Sequence, residues 1–270
     1  MANDAPLFIR QHGSAGPLVI ALHGGPAACG SAAPIARGLA DTFRVLEPWQ
    51  RGSSDTPLTV ARHVEDLHQV ILSRCDGERP SLVGESWGAM LALAYAAAHP
   101  HSVSRIVLVG CGTWDIASRE QVGETLRERM SGCLARELDA MQHSCADADE
   151  RMRRMYELTR PLYSYDPLPE EAQEGLPPFD MLAHTQTWDD MLRLQREGVY
   201  PAAFSAITCP VLMLHGTYDP HPGPMIRASL TSFIPHLEYR ELGHCGHSPW
   251  LEKEAEHAFF ALLHEWLAGR

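Results

Sequence analysis

The chain has 270 residues, and its 22 basic and 34 acidic side chains leave a formal charge of −12. That size suits one large domain or a domain with an insertion, and that sign leaves no basic footprint for nucleic acid. With 45% hydrophobic and 21% charged residues the composition is that of ordinary globular proteins, which excludes disordered, collagen-like and membrane-spanning classes.

The N-terminus from Met1 to Pro6 has no basic segment followed by an apolar stretch. Nor does any later window approach the roughly 18 unbroken apolar residues of a membrane span. A cytoplasmic location with no membrane partner is therefore expected. The seven cysteines (Cys29, Cys75, Cys111, Cys133, Cys145, Cys209, Cys245) are odd in number, widely spaced and form no C-x-x-C pair. They read as small buried hydrophobes in a reducing compartment rather than as a metal or redox site.

Apolar runs at Leu18 to Leu22, Phe43 to Leu46, Ser81 to Gly84, Arg105 to Gly110 and Pro210 to Leu214 are short and rich in Val, Ile and Leu. Each is bounded by turn-forming residues, the pattern of strands buried on both faces of a parallel sheet. Helix-length segments at Ser31 to Asp41, Thr59 to Cys75 and Trp87 to His99 separate the first four, and Pro100 stops the last helix. This alternation predicts a doubly wound α/β fold with a mostly parallel central sheet flanked by helices.

After Gly110 the alternation stops. Residues 113–201 read as helix without strand, with helical spacing over Arg119 to Met141 and Asp149 to Leu158, and a Pro-rich connector from Tyr165 to Pro178. The expected organisation is a core of residues 1–112 and 202–270 with a helical cap, residues 113–201, inserted into it. The strand pattern resumes at Val211, continues at Leu237 to Leu242, and ends in an amphipathic helix over Glu254 to Leu267.

Gly84-Glu85-Ser86-Trp87-Gly88 sits where a predicted strand turns into a predicted helix. That context is what a G-x-S-x-G nucleophile elbow requires: the serine is lifted above the sheet edge, and glycines let neighbouring backbone pass close. An orienting acid and a base should follow in that order. Asp219 emerges just past the strand at Val211, at the carboxyl end where sites of open α/β sheets collect. The loop from Gly243 to Trp250 offers His247, favoured for its place at the loop tip before Ser248-Pro249, with His244 as the alternative. His23 reads as structural and His215 as a weaker base. His23-Gly24-Gly25-Pro26 follows the first strand, and Gly25 is the expected oxyanion donor because Pro26 has no N–H. The amide of Trp87 is the expected second donor.

Taken together these residues resemble the α/β-hydrolase superfamily. The stretches His23 to Pro26, Gln50-Arg51-Gly52, Ser86-Trp87-Gly88 running to His99-Pro100, and Gly246 to Pro249 with Glu252 behind them resemble the proline iminopeptidase group. Trp49 stands where that group usually has Asp, and Glu85 where it has Gly. The resemblance implies a serine hydrolase that needs no cofactor or metal, with Ser86, Asp219 and His247 as its triad, acting on a small molecule or short peptide. It also implies acidic cap residues for a substrate amine, for which Glu157, Asp166, Glu170, Glu171 and Glu174 are available, while Glu85 beside the nucleophile is a further candidate for binding an ammonium. Ester, lactone or carbon–carbon bond hydrolysis of a small metabolite is the alternative chemistry, and a ligand-binding protein without turnover is the alternative of another class. The cap aromatics Trp114, Tyr156, Tyr163, Tyr165 and Trp188 are individually expected to pack in the core.

Overall fold

The computed structural model describes residues 6–144, 147–169 and 175–269. In chain order it forms β1 (Ile9–His12), β2 (Leu18–Leu22), α1 (Ala33–Leu39), β3 (Arg44–Pro48), α2 (Val60–Arg74), β4 (Ser81–Glu85), α3 (Trp87–Ala98) and β5 (Arg105–Val109). Then come α4 (Ile116–Arg129), α5 (Gly132–Ser144), α6 (Ala148–Thr159) and α7 (Met181–Arg196), followed by β6 (Val211–Gly216), α8 (Gly223–Thr231), β7 (Leu237–Leu242) and α9 (Glu256–Leu267). The seven strands make one sheet in the order β1-β3-β2-β4-β5-β6-β7. All neighbours are parallel except β1, which runs antiparallel to β3.

Alternation of side chains across the sheet explains the unbroken apolar runs. Leu18, Ile20 and Leu22 join the layer beneath α2, α3 and α8, whereas Val19 and Ala21 join the layer beneath α1 and α9. Strands β4, β5 and β6 divide in the same way, so both faces are covered and the middle residues of these strands are apolar or glycine. No helix among the described residues is long and apolar enough to cross a membrane. The six described cysteines are free thiols, with Cys75, Cys111, Cys209 and Cys245 buried and Cys133 exposed; Cys145 lies outside the described residues.

One expected helix is corrected, and two elements, β1 and α8, have no counterpart in the sequence pattern. The helix expected over Arg119 to Met141 is broken at Met130, whose backbone is extended, and Ser131 caps the next helix by accepting the Leu134 N–H at 3.2 Å. Strand β1 carries no apolar run, because Arg10 and His12 both turn onto the buried carboxylate of Glu47. Helix α8, nine residues long and opened by Pro222-Gly223-Pro224, is too short for periodicity to show.

The segment between β5 and β6 is tied to the sheet layer mainly through α7. Gln186 accepts the Leu58 N–H, Asp190 accepts the Val60 N–H at the start of α2, and Thr187 meets His63 at 2.9 Å. At its N-terminal end, His184 donates from Nδ1 to the carbonyl of Pro26, and Asp180 accepts the Ser53 N–H. The helix is thereby set over the turn that follows β2.

Candidate active site

Ser86 occupies the turn between β4 and α3 with φ +50° and ψ −115°. A non-glycine residue pays roughly 1–3 kcal/mol for such a conformation, and it persists only where its surroundings over-determine it. Here they do. The Ser86 N–H donates to the carbonyl of Val109 at 2.8 Å, and a side chain on Gly84 would lie 2.2 Å from the carbonyl oxygen of Gly88. One on Gly88 would lie 2.2 Å from that of Leu22. The two motif glycines are therefore the residues that let α3 press against β2 and β4.

Asp219 lies past the end of β6 with a fully buried carboxylate. Its Oδ2 accepts from His247 Nδ1 at 2.8 Å, and His215 Nε2 lies 3.2 Å away. Its Oδ1 accepts both the backbone N–H of His221 at 2.9 Å and the ring Nδ1 of His221 at 3.0 Å. Burial alone would raise the pKa of Asp219, but the neighbouring His247, His215 and His221 hold it well below the ordinary carboxylate value. Burial likewise opposes protonation of His247, and the charge and hydrogen bond of Asp219, with a contribution from Glu85, outweigh it. The imidazole pKa ends above its usual value.

His244, the alternative base, is at the surface and pairs with Glu254 at 2.6 Å, stacked on Tyr165. His23 is buried: it accepts the Gln50 N–H on Nε2 at 2.9 Å and so donates from Nδ1 to the carbonyl of Gly24. Burial drives its pKa down to about 4, so the ring is neutral. Gln50 completes this brace by donating to the carbonyl of His23 and accepting from Trp87 Nε1 at 2.7 Å. The turn carrying Gly25 (φ +111°) is thus linked side chain by side chain to the residue after Ser86.

Glu85 is buried with a pKa raised by desolvation, against the opposing hydrogen bonds from Ser31 and Gly24. Its Oε1 accepts the Gly24 N–H at 3.0 Å and the Ser31 hydroxyl. The side chain thus buttresses the turn one residue ahead of Gly25. Trp49, the other departure from the iminopeptidase pattern, packs on Phe8 and lies under the Arg10 guanidinium.

A cavity of about 770 Å³ joins these parts, with Ser86, Gly25, Trp87, Glu85, His221 and His247 in its wall. Met152, Met155, Phe179 and Trp188 from the segment between β5 and β6 close it on the far side. Tyr156 and Tyr163 also line it, as Trp188 does, contrary to the expectation of core packing; Tyr156 is largely exposed on α6. Trp114 is buried against Phe204 and Tyr200, as expected, whereas Tyr165 meets Tyr218 at the surface and is not a core residue. Of the acidic candidates for an amine, Glu157 pairs with Arg153 and Asp166 with Lys253, and neither lines the cavity. Glu170, Glu171 and Glu174 lie outside the described residues.

His221 is the residue that sequence reasoning missed. Its ring stacks on His247 with centroids 4.7 Å apart, and Tyr163 packs on both rings. The available signal was a histidine two positions after the candidate acid, held between Pro220 and Pro222. The ligand atoms of Asp219, His221 and His247 lie within 4.8 Å of one another, the one such potential metal-binding group among the described residues.

Comparison with known proteins bears on this arrangement. The family model described as alpha/beta hydrolase fold matches residues 17–254. A cis-3-alkyl-4-alkyloxetan-2-one decarboxylase of Shewanella oneidensis is 28% identical over 122 residues, which is 42% of this chain and only 38% of that protein's length. Among solved structures, E-2-(acetamidomethylene)succinate hydrolase superposes with a TM-score of 0.66 at 20% identity, covering 98% of this chain and 95% of that one. The enol-lactonase of Burkholderia xenovorans gives 0.62 at 20% identity over 97% and 96%. A thermophilic esterase of Thermogutta terrifontis gives 0.63 at 19% identity over 97% and 93%.

Proposed function

The chain belongs to the alpha/beta hydrolase fold family, and from that premise we propose that it is a serine hydrolase that opens a small ester or lactone through an acyl-enzyme on Ser86. The observation that carries this reading is the strained Ser86 on a cavity wall shared with His247, whose Nδ1 lies 2.8 Å from Asp219. His247 Nε2 takes the Ser86 proton as Oγ attacks the carbonyl carbon, and Asp219 keeps the hydrogen of the ring on Nδ1. The amides of Gly25 and Trp87 receive the developing oxyanion, each such donor being worth on the order of 3 kcal/mol. His247 then hands the proton to the leaving oxygen. Water, deprotonated by the same imidazole, releases the acid and restores Ser86.

An ester or lactone is favoured because the cavity wall contributed by residues 113–201, which we read as a cap, includes Met152, Met155, Phe179 and Trp188 beside the polar Thr159, Arg160, Ser164 and His184. Such a surface takes up an apolar acyl group. The names of the superposing lactonase and esterase accord with this chemistry. A second reading, the iminopeptidase activity, is supported by Glu85 and Glu256 at the cavity wall, where a carboxylate would receive a substrate ammonium.

Initial rates on a short-chain aryl ester and on a prolyl arylamide, with Ser86→Ala as control, test the proposal. Ester turnover lost in the variant supports it, and arylamide turnover lost in the variant selects the second reading. Absence of both, with no labelling of Ser86 by a fluorophosphonate, favours a ligand-binding protein without turnover.

A further inference from the structure

Three imidazoles surround the Asp219 carboxylate, those of His215, His221 and His247, and the mechanism above uses one. His221 donates its Nδ1–H to Oδ1 at 3.0 Å while His247 donates its own to Oδ2 at 2.8 Å. The two rings are anchored through the same atom to one carboxylate and stack 27° from parallel with centroids 4.7 Å apart. Both residues line the cavity, and among the described residues the Nε2 of His221 has no hydrogen-bond partner, although every other polar atom of that residue is engaged.

We propose that His221 forms a leaving-group subsite that accepts a hydrogen bond from a hydroxyl carried by the leaving alcohol, next to the oxygen that His247 protonates. The preference for a donor follows from the tautomer. In the tautomer that commits its hydrogen to Asp219 through Nδ1, the ring presents a bare lone pair at Nε2, which a hydroxyl satisfies and an ether oxygen does not. The class of substrate follows from the spacing. Rings with centroids 4.7 Å apart set the two side chains at a separation that an alkoxy oxygen and a hydroxyl on adjacent carbons bridge. Esters of vicinal diols, including the glycol and glycerol type, meet both requirements. His221 is also held against motion by its backbone N–H on the same Oδ1, by its carbonyl, which accepts from His215 Nε2 at 2.9 Å, and by Tyr163. An atom so fixed is preorganised for binding.

This inference rests on the hydrolase reading, and the experiment separates the two. The kcat/KM values of 2-hydroxyethyl butyrate and 2-methoxyethyl butyrate are measured for the wild type, His221→Phe and His221→Ala. The wild type is expected to favour the hydroxyl ester by roughly fivefold or more, the scale of one neutral hydrogen bond. In both variants the ratio is expected to collapse toward one, whatever loss the two esters share. Should a variant lose turnover, the dissociation constants of both esters for Ser86→Ala and for Ser86→Ala/His221→Phe carry the same comparison. A wild-type ratio near one, or a ratio preserved in the variants, overturns the subsite and leaves His221 a support for Asp219. Turnover of neither ester overturns it as well; labelling of Ser86 by a fluorophosphonate then decides whether the hydrolase reading survives.

Discussion

The buried carboxylate of Glu252 accepts the backbone N–H of Gly246 at 2.9 Å, one residue ahead of His247. The same carboxylate accepts the N–H groups of Tyr165 and Asp166, each at 2.8 Å, and the His247 N–H donates to the carbonyl of Tyr163. The loop that carries the proposed base is therefore fastened to the segment that closes the cavity. Glu252→Gln keeps the volume but turns an N–H₂ group toward backbone donors that need an acceptor. A loss of about 2–3 kcal/mol in stability is expected, because a buried donor left unpaired costs about 1–3 kcal/mol. Denaturant unfolding checks this, and kcat should fall with it because His247 loses its fixed position.

The pH dependence follows from the environment of His247. The base must be neutral to take the Ser86 proton, and its pKa is raised above the ordinary 6.5. The kcat/KM is expected to fall on the acidic side with a midpoint above that value. In Asp219→Asn, burial loses its main opposing anion, so the midpoint of the residual activity moves to lower pH. A pH–rate profile of the two proteins decides this.

Gly88→Ala tests the packing that holds the elbow. Its new methyl group would lie 2.2 Å from the carbonyl oxygen of Leu22, which is backbone in a central strand and has nowhere to move. A destabilisation of roughly 3 kcal/mol is expected from such a clash, read as a lowered Tm.

Acid stability carries a separate signature. His23 and His63 are buried, and desolvation lowers each to about 4 from the ordinary 6.5. A depressed pKa means that the stability these neutral rings allow is complete above 6.5 and is lost as pH falls toward 4, by roughly 3 kcal/mol per residue. His63→Gln removes one of these groups while leaving a partner for Thr187. Its Tm should accordingly decline less steeply between pH 6.5 and 4.5 than that of the wild type.

What the sequence made legible was what obeys local rules. Leu18 to Leu22 reads as a buried strand because each of its side chains meets one of two apolar layers. Gly84, Ser86 and Gly88 were legible because the elbow needs those residue types at fixed spacing. Other features depend on partners distant in the chain. Strand β1 is held by Arg10 and His12 reaching Glu47, an arrangement that leaves no apolar signature. The function of Glu85 as a brace depends on Ser31 and Gly24, more than fifty residues away. His221 gains its significance only when the turn after β6 lays its ring against His247.

The proposed mechanism requires Ser86 to carry the acyl group. Rapid quenching of the protein with an aryl ester in the pre-steady state, followed by mass analysis of the peptide containing Ser86, tests it most directly. One acyl group is expected on that peptide, formed with a stoichiometric burst of phenol and absent in Ser86→Ala. Undiminished ester turnover by Ser86→Ala, with no acylated peptide in the wild type, would contradict it.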